Sequence, residues 1–158
     1  MRPYRGGGFT LVELVVVVFI MTLLASLIVP ALAGQQRRRL DDAAEHMRQL
    51  INQAQQEAVF SSRVWQLVVD PGKHSYHFNK YINSQFTRVT SGPFAQLHPA
   101  PGVVFEKLVI NGERRVSPGG VLFYPTGEQD SLRVTMQAGE ETRTLSMGTV
   151  GPARVVLE

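Results

Sequence analysis

The stretch Gly6-Gly7-Gly8-Phe9-Thr10-Leu11-Val12-Glu13-Leu14 stands between a short basic leader and a long apolar segment. The leader, residues 1–8, carries two arginines and ends in three glycines. From Leu14 to Val29 the only polar side chains are those of Thr22 and Ser26. Both can hydrogen-bond to the backbone of their own helix. This order of basic, small, aromatic and apolar residues guides the interpretation of the rest of the chain.

The apolar segment is long enough to be a membrane helix. It covers roughly 20 residues, or about 30 Å of α-helix, which matches the hydrocarbon core of a bilayer. A secretory signal peptide has a shorter apolar region of about 7–15 residues, followed by its small-residue cleavage site. Here the glycines come before the apolar residues, so cleavage at them would leave the helix on the mature protein. The sequence therefore predicts a retained membrane helix over residues 9–33.

Glu13 is a charged residue at the start of this apolar segment. An ionised carboxylate in a membrane helix costs on the order of 2.5–3.5 kcal/mol at the bilayer centre and less near its edge. Cleavage between Gly8 and Phe9 would create an α-amino group that could neutralise Glu13 of the same chain or of a neighbouring helix. The alternative is a carboxylate that reaches the polar membrane surface.

The motif Gly8-Phe9-Thr10-Leu11-Val12-Glu13, followed by an apolar helix, resembles the class III signal of type IV pilins and type II secretion pseudopilins. The resemblance implies cleavage after Gly8 by a prepilin peptidase of the inner membrane, which also N-methylates Phe9. It implies that Glu13 neutralises the terminal amine of an adjacent subunit during assembly. Pro30 corresponds to the proline that kinks the helix in that family.

An amphipathic continuation of the helix is predicted over residues 34–62. Apolar residues recur there at steps of three and four, with polar side chains on the opposite face. We expect the apolar face to pack on a soluble domain rather than on a coiled-coil partner, because the stripe is short and rich in alanine. Its members are Leu40, Ala43, Ala44, Met47, Leu50, Ile51, Ala54 and Ala58.

Residues 63–158 have the pattern of about eight short antiparallel strands. Asp70-Pro71-Gly72-Lys73 and Asn111-Gly112 are predicted hairpin turns, and Trp65 is expected in the core. The segment from Tyr81 to Pro101 is poorly patterned and is predicted to be a long loop, extended in part. The predicted fold class is α+β, with a long N-terminal helix packed on an antiparallel β-sheet or small β-sandwich.

The second half of the chain indicates which group within this family the chain resembles. Val121-Leu122-Phe123-Tyr124-Pro125-Thr126-Gly127 and the strands predicted after it resemble the sheet region of H-type minor pseudopilins. The resemblance implies a leader peptide (1–8), a transmembrane assembly helix (9–33), its amphipathic continuation (34–62) and a periplasmic β-rich domain (63–158). The function implied is that of a structural minor pseudopilin that supports protein export by type II secretion.

The same resemblance implies the location and the partners of the chain. The protein would be a single-pass protein of the bacterial inner membrane that is incorporated into a periplasmic pseudopilus. Its partners would be the prepilin peptidase, other minor and major pseudopilins and the inner-membrane assembly platform, with exported proteins as further candidates. A minor pilin of a type IV pilus, contributing to DNA uptake, is the alternative.

Composition and motifs argue against catalysis and against a cofactor. The chain has 158 residues, a formal net charge of +3 and no cysteine, so it has neither disulfides nor thiolate metal sites. The four histidines (His46, His74, His77 and His98) lack the spacing of zinc ligands. No nucleophile elbow, phosphate loop or dinucleotide fingerprint is present. We therefore expect no enzyme activity, no catalytic residue, no metal and no cofactor.

Nucleic-acid binding is a disfavoured third class of function. Pilus relatives that act in DNA uptake use basic residues of the C-terminal region, and this chain offers one arginine there, Arg154. Arg133 and Arg143 stand among acidic residues, and Arg114-Arg115 is the best alternative patch. Strong salt dependence would be the signature of such binding.

Overall fold

The structure of the chain, a computed structural model, describes residues 10–95 and 98–156, without the side chains of residues 25–33. The chain divides into two compact units, Met1–Gln35 and Gln36–Glu158. Helix α1 extends over Leu11–Ser61. The strands that follow in the described residues are β1 (Trp65–Asp70), β2 (Ser75–Ile82), β3 (Gln85–Arg88), β4 (Val104–Ile110), β5 (Glu113–Arg115), β6 (Gly119–Phe123), β7 (Leu132–Ala138), β8 (Glu141–Met147) and β9 (Arg154–Val156).

The second part of helix α1 buries one face. All eight apolar positions predicted to face the domain, from Leu40 to Ala58, are at most 8% exposed. Polar residues between them, such as Glu45 and Gln49, are exposed. The prediction of a core-facing stripe is confirmed, because a period of 3.6 residues puts these positions on one side of the helix.

The strands form two antiparallel sheets. One sheet has the order β3-β2-β1-β6 and the other the order β5-β4-β7-β8-β9. Burial alternates along β1, with Trp65, Leu67 and Val69 inside. At the turn between β4 and β5, Asn111 and Gly112 both have positive φ (52° and 82°), as the predicted two-residue hairpin requires.

Both sheets and the second part of α1 contribute to one hydrophobic core. Trp65 is fully buried, as predicted, and its ring lies 4.9 Å from that of Phe94. Phe94 also contacts Phe78 at 5.0 Å between ring centroids. A helix packed on antiparallel sheets confirms the predicted α+β class. The four-part division of the chain stays a prediction.

The segment Tyr81–Pro101 was predicted to be a long loop, extended in part, and its first half is instead paired β-strand. Strand β2 continues to Ile82, strand β3 pairs with it, and a short 3₁₀ helix covers Gly92–Ala95. The turn between the strands consists of Asn83 and Ser84, both with positive φ (51° and 63°). All four residues of β3 are exposed, so the strand lacks the alternation by which a half-buried strand is identified.

Candidate functional site

The start of helix α1 is held by a side-chain cap. Thr10 precedes the first helical residue, and its Oγ1 accepts a hydrogen bond from the backbone N–H of Glu13 at 3.3 Å. The Thr10 carbonyl oxygen accepts from the N–H of Leu14 at 3.2 Å. Thr10-Leu11-Val12-Glu13 therefore has the spacing of a capping box, Thr at the cap and Glu three residues later. The positive end of the helix dipole favours a negative charge at Glu13.

Apolar side chains surround the first turns of α1. Twelve large apolar residues between Leu11 and Leu24 are 43–80% exposed. Consecutive residues of a helix point about 100° apart, so Val15 to Val18 alone cover its whole circumference. The hydroxyl of Thr22 donates to the carbonyl oxygen of Phe19 at 2.8 Å, which confirms that this polar group is satisfied within the helix.

The structure describes some of the predicted site residues and not others. Gly8 and Phe9 lie outside the described residues. Glu13 is exposed in the first turn of α1. Pro30 lies within the helix, its side chain is not described, and the bend there stays a prediction. In the described part of the chain, no helix combines the length and the hydropathy that a membrane crossing requires.

Arg143 joins strand β8 to helix α1 instead of lying at the surface. It is 4% exposed, and its Nε donates to Oδ1 of Asp41 at 2.7 Å. Its second nitrogen donates to the carbonyl oxygen of Thr142 at 2.7 Å and to Glu141 at 3.3 Å. Of its two acidic partners, Glu141 is a near neighbour in sequence, whereas the contact with Asp41 could not be derived from residue spacing. A second contact between helix and domain runs from the N–H of Ala153 to Oδ1 of Asn52 (2.8 Å).

Burial and hydrogen bonding determine the surroundings of three titratable residues of the β-rich unit, Tyr76, His77 and His74. Burial raises the pKa of Tyr76 to about 12. Burial, together with the charge of Arg88, lowers the pKa of His77. The Nδ1 atom of His74 accepts a hydrogen bond from the N–H of Phe105 at 3.1 Å. Among the described residues, no group of three or more His, Cys, Asp or Glu side chains could hold a metal ion.

A cavity of about 350 Å³ is lined by helix α1, strand β2 and the Pro99–Ala100 segment. His46 and Asp42 line it from the helix, and Tyr76 lines it from β2. The Nε2 atom of His46 is buried and has no hydrogen-bond partner among the described residues. No role for His46 was predicted from the sequence, since nothing in its spacing indicates the cavity.

Strand register brings together three arginines that the sequence separates. Val109 pairs with Arg114 on one side and with Arg133 on the other. Arg133 pairs with Ser146, which pairs with Arg154. The three arginines are exposed and form one row across the five-stranded sheet, which we call the arginine row. The row was not predicted from the sequence, because pairing between strands far apart in sequence cannot be derived from residue spacing.

Comparison with known proteins assigns the family. The sequence model of the family described as Type II transport protein GspH matches residues 43–151. The chain belongs to this family. The matched residues lie within the second compact unit, Gln36–Glu158, and cover most of it. No curated protein matches the chain.

Solved structures of minor pseudopilins and pilins share the fold. The minor pseudopilin EpsH of Vibrio cholerae matches with 13% identity and a TM-score of 0.62, over 75% of this chain and 97% of that chain. A crystal structure of the same pseudopilin matches with 12% identity and a TM-score of 0.63, over 76% and 94%. The type IV minor pilin FimU of Pseudomonas aeruginosa matches with 16% identity and a TM-score of 0.51, over 79% and 92%.

Membership in the GspH family confirms the resemblance to H-type minor pseudopilins of type II secretion. The family consists of structural proteins of the pseudopilus and is not an enzyme family. It implies contacts with other pseudopilins of the secretion system.

Proposed function

We propose that this GspH-family chain is built into a type II secretion pseudopilus through the first part of helix α1. In this proposal prepilin peptidase cleaves after Gly8 and N-methylates Phe9. Residues 9–33 hold the protein in the bacterial inner membrane before assembly, with the β-rich domain in the periplasm. The assembled subunit then supports the export of proteins across the outer membrane.

The observation that carries this proposal is the exposure of apolar side chains on every side of α1 between Leu11 and Leu24. A helix of a soluble domain has an apolar stripe and a polar face, whereas a helix that is apolar all round requires lipid or protein around it. Burial of each such side chain contributes about 1.5–3 kcal/mol. Lipid before assembly and neighbouring pseudopilin helices afterwards would both supply that burial.

Glu13 fits the same proposal. Its backbone N–H is bonded to Thr10, so the helix begins at a defined residue and the carboxylate has a fixed place in the first turn. Cleavage before Phe9 would put the new α-amino group one residue before the cap. The amine of an incoming subunit can then neutralise a carboxylate of its neighbour, which offsets the cost of a charge in an apolar environment.

The partners proposed follow from these steps. Prepilin peptidase would act on the leader, the inner-membrane assembly platform would extract the helix, and other minor and major pseudopilins would pack against it. An open-ended helical fibre uses such head-to-tail contacts. Exported proteins are further candidate partners of the periplasmic domain. No cofactor is part of this function.

Deletion of the gene, followed by complementation with this chain, tests the proposal. If the chain acts in type II secretion, the deletion strain should retain exported proteins in the periplasm, while twitching motility and DNA uptake continue. Complementation with the wild-type chain should restore export. Normal export combined with lost twitching or DNA uptake would contradict the proposal and favour the alternative, a minor pilin of a type IV pilus.

A further inference from the structure

The outer face of the five-stranded sheet carries the arginine row, Arg114, Arg133 and Arg154, with Val109 and Ser146 between them. These five residues come one from each strand, and their sequence neighbours Leu108, Leu132, Val134 and Leu145 point into the core. The row therefore crosses all five strands on the side opposite to the core. It contains no acidic residue.

The three guanidinium groups have no ion-pair or hydrogen-bond partner among the described residues. Two other arginines of the domain form ion pairs: Arg143 contacts Asp41, and Arg115 contacts Glu113, each at 2.7 Å. Lys107 is exposed on the same face, two residues before Val109 on β4, and adds a fourth positive charge. Glu106, also exposed, is its neighbour in sequence. The face is thus basic without internal neutralisation along the row.

The centre of the row is concave. Val109, Arg133 and Ser146 line a cavity of about 470 Å³, together with Gly112 and Gly148. The two glycines and the small side chain of Ser146 leave room beside Arg133 for a side chain of another molecule. A recess next to a free guanidinium provides both shape and charge for recognition.

The spacing of the charges indicates what fits them. Neighbouring strands lie about 4.8 Å apart, so Arg114 to Arg133, and Arg133 to Arg154, are each about 10 Å apart at the backbone. In an α-helix, residues seven apart lie on one face and are separated by about 10.5 Å. An acidic helix with carboxylates every two turns would therefore match the row when it lies across the strands.

The surroundings of the row favour carboxylates of a protein over the phosphates of a nucleic acid. Guanidinium groups bind carboxylates and phosphates alike through paired hydrogen bonds, so the spacing of the arginines and their neighbours decide between the two. Proteins that bind single-stranded nucleic acids also use aromatic side chains on which the bases stack, and neither the arginine row nor the two residues between its arginines include an aromatic residue. We propose that the arginine row is a docking surface for a helical protein segment whose carboxylates are spaced two turns apart. This inference does not depend on processing or on assembly through α1.

Binding of designed peptides to the full-length protein in a non-ionic detergent tests this proposal. The first peptide is a labelled helix with three glutamates at intervals of seven residues, and the second has the same composition with the glutamates adjacent. A single-stranded oligonucleotide of equal charge is the third ligand. We expect the spaced peptide to bind about tenfold more tightly than the clustered one.

Charge reversal of the row identifies where the peptide binds. R114E/R133E/R154E should weaken binding of the spaced peptide about tenfold or more. The matched control R63E/K73E/R88E changes the same net charge at exposed sites outside the five-stranded sheet and should retain the wild-type affinity. Circular dichroism melting checks that both variants fold. If the first variant does not fold, Arg133→Gln alone replaces it and should weaken binding about two- to threefold.

Three results would overturn the proposal. Equal binding of the spaced and clustered peptides would show that the spacing of the carboxylates has no role, and no binding of either would show that the row does not bind such a helix. An equal loss in the control variant would show that only net charge matters. Tighter binding of the oligonucleotide than of the spaced peptide would assign the row to nucleic acid instead.

Discussion

The Nε atom of Arg143 lies 2.7 Å from Oδ1 of Asp41, so strand β8 is joined to helix α1 across 102 residues of sequence. The arginine side chain is 5% exposed and the aspartate side chain 48% exposed. The contact therefore satisfies a buried cation with a carboxylate at the surface. It fixes the part of α1 that belongs to the β-rich unit.

Asp41→Ala should destabilise the fold by about 1–2 kcal/mol, because it leaves a buried guanidinium with a weaker set of partners. Glu141→Ala is the matched control, since its contact with Arg143 is longer (3.3 Å) and should cost less. The free energy of unfolding in urea measures both changes. Equal losses in the two variants would contradict the role assigned to Asp41.

Gln129 holds the turn that precedes β9. Its Nε2 donates to the carbonyl oxygens of Gly148 (2.9 Å) and Gly151 (2.7 Å), and the residue is 4% exposed. Gln129→Glu would put an ionised carboxylate against two carbonyl oxygens and should cost about 2–3 kcal/mol at neutral pH. A protonated carboxyl group can donate one of these bonds, so stability should recover as the pH falls.

Thermal melting of Gln129→Glu at neutral and at acidic pH measures this recovery against the wild type. Gln129→Leu is the control, because it also removes the donor but cannot titrate. Its loss should be the same at both pH values. A loss in Gln129→Glu that does not change with pH would contradict the assigned hydrogen bonds.

Glu45 gives helix α1 a stability that depends on pH. Arg48 donates to its carboxylate at 2.8 and 2.6 Å and Gln49 at 3.0 Å, which lowers the pKa of Glu45 from 4.5 to about 2. A carboxyl group with a lower pKa in the folded state stabilises the fold above its unfolded pKa. This stabilisation is lost as the pH falls from 4.5 to about 2.

Glu45→Gln should therefore cost about 0.5 kcal/mol near neutral pH, since the pair is largely exposed and screened by solvent. The difference from the wild type should vanish near the lower end of that pH range. Melting curves over a pH series measure it. Glu57→Gln is the control, because Glu57 forms no ion pair among the described residues. The same pH dependence in the control would exclude the assigned cause.

Glu13→Gln separates the charge of Glu13 from its place in the helix. Glutamine also fits the last position of a capping box, so the helix should still begin at Leu11. The neutral side chain cannot pair with an incoming α-amino group, and we expect incorporation into the pseudopilus to fall about tenfold. Co-purification with a tagged major pseudopilin after cross-linking in intact cells measures incorporation, with Glu57→Gln as the control. Wild-type incorporation of Glu13→Gln would contradict the assembly role.

The parts of the fold that the sequence predicted are those set by local periodicity. The buried face of α1 from Leu40 to Ala58 follows from steps of three and four residues, and the Asn111–Gly112 turn follows from backbone conformations that these residues tolerate. Strand β3 was missed because exposed residues on both faces give no alternation. Its turn, Asn83–Ser84, contains no glycine or proline to indicate it.

The candidate site was predictable only where its residues are neighbours in sequence. The motif from Gly8 to Glu13 is continuous, and the structure describes its last four residues, Thr10 to Glu13, as the beginning of a capped helix. Arg114, Arg133 and Arg154 are brought together by antiparallel pairing of five strands. Register depends on the packing of whole strands, so this row could not be derived from the positions of single arginines.

Intact-mass analysis of the chain, produced with and without prepilin peptidase, tests the proposed assembly most directly. With the enzyme, we expect the mass to fall by residues 1–8 and to rise by one methyl group at Phe9. Without the enzyme, the full mass should remain. A chain that stays uncut in the presence of active peptidase, while a known pseudopilin in the same cells is cut, would contradict assembly through a processed N-terminal helix.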